Sequence, residues 1–129
     1  MSFTSTPNEE NDEDLGSSDS EHIDNFADCK FDDGTYSATV VTFEPGARPK
    51  WHLHPGGQII LVTDGIGYYQ EKGQQKKILH KGDVIKCPPN VEHWHGASKD
   101  SYFVQVAVTD NKNGSVIWLQ PVTEEEYYK

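Results

Sequence analysis

Gly46 to Gly65 reads GARPKWHLHPGGQIILVTDG, and the spacing of its polar residues decides both the fold and the place to look for chemistry. His52 and His54 stand two residues apart. In a β-strand, positions i and i+2 share a face, so the two imidazoles aim together. Pro55-Gly56-Gly57 is turn chemistry and carries Gln58 onto the next stretch of backbone, facing the same space. The i, i+2 pattern recurs at His93 and His95 in VEHWHGA. Four imidazoles and an amide converging on one cavity have the character of a metal centre.

Outward from this stretch the pattern is almost wholly β. Thr35 to Phe43 alternates and is β-branched, and Glu44-Pro45-Gly46 turns the chain. Strands are expected at 50–54, 58–63, 66–71, 75–79, 83–87, 91–95, 102–108 and 116–119. Asp64-Gly65 and Lys72-Gly73 read as hairpin tips. Turn residues every 8–12 positions or so suit a sandwich or small barrel. Thr123-Glu124-Glu125-Glu126 can open one short C-terminal helix. No phosphate-binding glycine loop and no helix long enough for a parallel crossover unit is present.

The formal charge of −10 is a property of one end. Residues 1–29 hold nine acids and no Lys or Arg, so the remaining 12 acids face all 11 basic residues and nearly balance them. A near-neutral body carries no nucleic-acid footprint. Residues 1–29 read as an acidic, disordered tail, too polar to offset its ordering entropy, and 30–129 as a single domain. His22 to Phe31 is the only N-terminal segment able to supply a strand. There is no basic n-region or apolar run for a signal peptide, and Ile59 to Val62, the longest aliphatic run, is far too short to span a bilayer. Two cysteines, Cys29 and Cys87, make no disulfide framework, and a reduced, cytoplasmic setting is expected.

The spacing Gly46-x5-His52-x-His54-x3-Gln58-x6-Gly65 resembles the first cupin motif, with Gln in place of the commoner Glu. Gly82-x5-Pro88-x-Asn90-x2-His93 resembles the second, with Asn90 for the usual Gly and Ala97 for the usual Asn. Asn tolerates positive φ best after Gly, so the change at 90 is mild. The resemblance implies an all-β double-stranded β-helix, a jelly-roll barrel. Over residues 35–129 the chain is similar to the small manganese-dependent cupin hydroxynitrile lyases. By motif position that implies His52, His54, Gln58 and His93 as metal ligands and His95 as a cavity histidine. Gln105 stands where such lyases carry a further cavity histidine. Gln does not exchange protons near neutral pH, so a substrate-orienting role is expected of it. The family also implies a homodimer, with Trp51, Leu53 and Trp94 on the opposite strand faces serving inter-sheet or subunit packing.

Three neutral imidazoles and a neutral amide leave a divalent ion its full charge, which favours Lewis-acid over redox chemistry. Mn or Fe is the family's preference, and Ni, Co and Zn suit the same donors. The expected function is metal-dependent, lyase-like chemistry on a small molecule, with His95 as general acid or base. The cupin resemblance also leaves open a quercetinase-like dioxygenase, which the neutral ligand set argues against, and a sugar isomerase, since some uronate-processing cupins carry a similar His, His, Gln, His set. A non-catalytic, metal-loaded binding module is the alternative outside enzymology.

Overall fold

A computed structural model describes residues 21–31 and 34–129, with side chains from Tyr36 onward. The chain forms β1 (Glu21–Phe31), β2 (Gly34–Phe43), β3 (His52–Leu53), β4 (Gln58–Glu71), β5 (Lys77–His80), β6 (Val84–Cys87), β7 (His93–Ala97), β8 (Phe103–Asp110) and β9 (Ile117–Trp118). Among the described residues one helix, α1 (Glu124–Tyr128), follows. Pairing is antiparallel throughout, in the order β1-β2-β8-β4-β7-β3-β9, with β5 and β6 also on β4. No helix among the described residues is long and apolar enough to cross a membrane.

The strand β4 joins the two halves of the sheet. Its first part pairs with β8 and β6, and its second part with β7 and β5. Asp64-Gly65, expected as a hairpin tip, instead lies inside this one 14-residue strand, paired to β8 just after a register shift between Val62 and Asp64. Gly65 takes φ 78°, and a Cβ there would lie 2.0 Å from the Tyr102 carbonyl oxygen. The glycine lets β4 bend tightly against β8 without reversing the chain. The Tyr102 hydroxyl donates to Asp64 Oδ2 at 2.7 Å and fastens the bend.

Residues 21–29, read from sequence as tail, are strand here: β1 pairs along β2 from Glu21↔Phe43 to Phe31↔Gly34. A sheet edge offers backbone hydrogen bonds to any extended segment, whatever its charge. The rest of the expected tail, residues 1–20, lies outside the described residues.

Alternation fills the interior. Val41 and Phe43 of β2, Ile60, Val62 and Tyr69 of β4, and Phe103 of β8 form the main core with Leu79, Cys87 and Ala97. A second cluster covers the other face of β7, where Trp51 and Trp94 pack with Val122 and Tyr127 under α1. Their indoles are satisfied, Trp51 by Glu126 Oε1 and Trp94 by Gln70 Oε1. Both tryptophans are thus covered by the chain's own C-terminus rather than left outward for a second subunit. Thr123 and Glu126 complete the capping box that starts α1. Tyr127 drives its hydroxyl onto the Ala97 carbonyl at 2.6 Å, anchoring the end of the strand that carries His93 and His95.

Candidate metal centre

His52 on β3 and His93 on β7 are direct cross-strand partners, their rings 4.5 Å apart. His95, two residues along β7, shares the face of His93 and reaches within 5.1 Å of His52. His54 lies just beyond β3, its ring 5.1 Å from His52 and 5.5 Å from His93. The alternation argument therefore holds in space: all four imidazoles meet, each less than a tenth exposed. The tightest set of ring nitrogens, within 4.8 Å of one another, belongs to His52, His93 and His95. His95, expected to serve catalysis, is inside that set, and His54, expected as a ligand, stands beside it.

The turn after His54 is closed by Gly57 N–H donating to the His54 carbonyl, which also accepts from Asn90 N–H. Asn90 takes φ 64°, the left-handed conformation expected of it as the stand-in for glycine. The turn delivers Gln58 as the first residue of β4, buried, with Nε2 donating to Thr109 Oγ1 at 2.9 Å. Gln105, fully buried on β8, donates from Nε2 to His95 Nδ1 at 3.3 Å.

The hydrogen bonds define tautomers. His52 Nδ1 donates to the Lys50 carbonyl at 2.7 Å and His93 Nδ1 to the Val91 carbonyl at 3.1 Å. Each ring then turns an unprotonated Nε2 inward, the form a metal requires. Burial holds the rings neutral: it lowers His52 and His54 to about 4, with His52 adding repulsion on His54. Burial, with repulsion from His52, takes His93 to about 3, and burial pushes His95 well below its usual value. At neutral pH no proton competes for these nitrogens.

A metal ion fits the donors. His54 Nδ1 and Nε2, His93 Nε2, His95 Nε2, Gln58 Oε1 and Gln105 Oε1 are buried without a hydrogen-bond partner. Native interiors rarely leave such atoms unpaired, and a cluster of six in one place points to a ligand shared between them. His93 Nε2, one nitrogen of His54 and the two amide oxygens are neutral donors of the kind that suits a divalent transition metal.

Sequence reasoning overlooked two neighbours. Thr109 continues the inward series Phe103, Gln105 and Ala107 on β8, so alternation alone could have found it. Trp118 of β9 pairs with His52 across the strands, its ring 4.9 Å away and half exposed at the sheet edge. A two-residue strand leaves no periodic signal that would have revealed Trp118.

Residues 39–109 match the model of the cupin domain. The (R)-mandelonitrile lyase of Granulicella tundricola is 39% identical over 97 residues, 74% of either chain. Among solved structures, a cupin-like protein from Thermotoga maritima superposes with a TM-score of 0.76 at 44% identity, over 83% of this chain and 81% of that one. The lyase DddQ for DMSP from Ruegeria pomeroyi shares the fold at 21% identity and a TM-score of 0.61, over 72% of this chain and 47% of its own. A double-stranded β-helix protein from Methanocaldococcus jannaschii does so at 10% identity and a TM-score of 0.60, over 73% and 83%. With a family model matched across more than half its length and a relative of this similarity, the chain belongs to the cupin domain family.

Proposed function

We propose that this chain is a metal-dependent lyase acting on a small hydroxynitrile-like molecule. His52, His54, Gln58 and His93 hold a divalent metal, Mn or Fe by preference, and His95 moves the proton. The observation that carries the reading is the cluster of buried, neutral imidazoles with unpartnered nitrogens beside the unpartnered Gln58 oxygen. When bound, a divalent ion in this neutral ligand set supplies Lewis-acid stabilisation of negative charge on a substrate oxygen.

His95 is separated from His52 and His93 by its partner. Backbone carbonyls fix the tautomers of those two, whereas His95 meets the Gln105 side-chain amide, which offers both a donor and an acceptor. In the structure the amide N–H faces Nδ1; rotation of the Gln105 amide, so that its oxygen accepts from Nδ1–H, makes His95 Nε2 a base. It takes the substrate hydroxyl proton as the C=O bond forms and the bond to the nitrile carbon breaks. The same Nε2–H then protonates the departing cyanide, so the products are an aldehyde and hydrogen cyanide and His95 ends unchanged. Gln105 acts through His95 and is a positioning residue. Phe43, packed edge-on against His95 at 6.0 Å, keeps water from that side of the ring.

The test uses Mn(II)-loaded protein and (R)-mandelonitrile, with benzaldehyde release followed by absorbance. Wild type turns over, and His95→Ala lowers kcat by roughly 10²–10⁴-fold while retaining about one Mn per chain. Full activity in His95→Ala removes His95 from the mechanism, and failure of wild type to bind any metal refutes the reading as a whole.

A homodimer is part of the same proposal. Ile59, Leu61 and Val84 are exposed on the outer face of the β4–β6 ladder, an apolar strip suited to a second copy. The buried Cys87 thiol, pushed up to about 12 chiefly by burial, is inert and suits a reducing, cytoplasmic setting.

A further inference from the structure

Gln58 is the only proposed ligand whose donor atom is not fixed by ring geometry. Its amide can present oxygen or nitrogen, and only the oxygen can bind a metal. Gln58 and Thr109 are ladder partners across β4 and β8, so their side chains rise side by side from one face. The backbone makes this pairing rigid. Asp110 N–H donates to the Gly57 carbonyl at 3.3 Å. The turn also lies so close to β8 that a Cβ on Gly56 would come within 2.3 Å of the Asp110 carbonyl oxygen. Thr109 Oγ1 thereby meets Gln58 Nε2 at 2.9 Å, and Gln58 Oε1 is left buried and unpartnered.

We infer that Thr109 is a positioning residue for the metal centre: by taking the Gln58 amide N–H it turns the carbonyl oxygen to the metal. The inference rests on the metal-binding reading proposed above. A ligating side chain is held by its outer hydrogen bond, and loss of such a bond typically lowers metal affinity by roughly 10–100-fold. Valine at 109 keeps the shape and β-branching of threonine and removes only the hydroxyl, which leaves the buried amide free to swing away.

Mn(II) affinity of the full chain, measured by competition with a chelating dye, tests this without reference to turnover. Thr109→Val should weaken Mn(II) binding by roughly 10–100-fold. Thr109→Ser, which restores a hydroxyl, should return the affinity to near that of wild type. In a Gln58→Ala background the Thr109→Val change should have little effect, because there is no amide left to aim. Far-UV circular dichroism and Thr109→Ala, as a second hydroxyl-free variant, separate aiming from misfolding. Unchanged affinity in Thr109→Val, with wild type still holding one Mn(II), overturns the role of Thr109 and leaves the metal site standing. An equal loss in both backgrounds also overturns it, since the effect would then be structural. Wild type that binds no Mn(II) removes the metal reading and this inference with it.

Discussion

The four central imidazoles should make the metal-free protein unusually sensitive to mild acid. Each ring is neutral in the folded state because burial opposes its charge, with values of about 4 for His52 and His54 and about 3 for His93. In the unfolded chain the same rings titrate near 6.5. Between these limits the unfolded state binds protons that the folded state refuses, so stability rises with pH. The contribution is complete above about 6.5 and is lost as pH falls toward the folded values. At pH 5 each ring has given up about 2 kcal/mol relative to neutral pH. His52, His54 and His93 together then remove on the order of 5 kcal/mol, and His95 shifts in the same direction. That is comparable with the whole stability of an ordinary small domain.

Urea unfolding in the presence of a chelator, followed by tryptophan fluorescence from pH 8 to pH 5, reads this directly. Stability should be flat above pH 7 and then fall with a slope approaching 1.36 kcal/mol per pH unit for each participating ring. His54→Asn should reduce the limiting slope by one proton. Saturating Mn(II) should raise the unfolding free energy, by about 3 kcal/mol at a hundredfold excess over Kd. A metal-free protein equally stable at pH 7 and pH 5 would refute the claim that these rings are held neutral by burial.

Other outcomes follow from the same structure. Tyr127→Ala removes the ring that fills the second core and holds the Ala97 carbonyl, and should destabilise by about 3–5 kcal/mol in thermal unfolding. Tyr127→Phe should lose only about 1–3 kcal/mol, through the one unsatisfied carbonyl. Gln105→Leu deprives His95 Nδ1 of its partner and should lower kcat on (R)-mandelonitrile at least tenfold, with Mn content unchanged. Leu61→Glu, placed on the exposed apolar strip, should convert the proposed dimer to a monomer in sedimentation velocity without loss of fold.

Much of this was legible in the sequence because short-range geometry governs it. A strand alternates whatever its surroundings, so the spacings His52-x-His54 and His93-x-His95 were enough to put each pair of rings on one face, and the β3–β7 pairing brings the two pairs together. Asn90 was readable for a similar reason, since its left-handed φ is a local property of the residue. What sequence could not settle was decided by the partner strand. Asp64-Gly65 carries the same local chemistry as a hairpin tip. It became a bend because β8 pairs through it, as far as Gly65↔Phe103, and β7 takes over the pairing from Gly67. The polar segment 21–29 was read as tail and His22 to Phe31 as able to supply a strand; its pairing to β2 is a backbone matter that side-chain hydropathy does not report.

The same division explains the chemistry. A ligand's identity is written in its own residue, but the atom it presents is set by a neighbour elsewhere in the chain. His52 and His93 are aimed by carbonyls two residues before them, so their tautomers belong to the motif itself. Gln58 is aimed by Thr109, 51 positions away, and His95 by Gln105 on the same strand. Both partners of these adjustable groups come from β8, on alternating inward positions, while none of the rings does. Replacing residues along that one strand could therefore retune which proton His95 carries and how firmly Gln58 binds, without touching the ligands. Under the proposed function, the groups that aim His95 and Gln58 lie on β8, and a motif match centred on the histidines is blind to them.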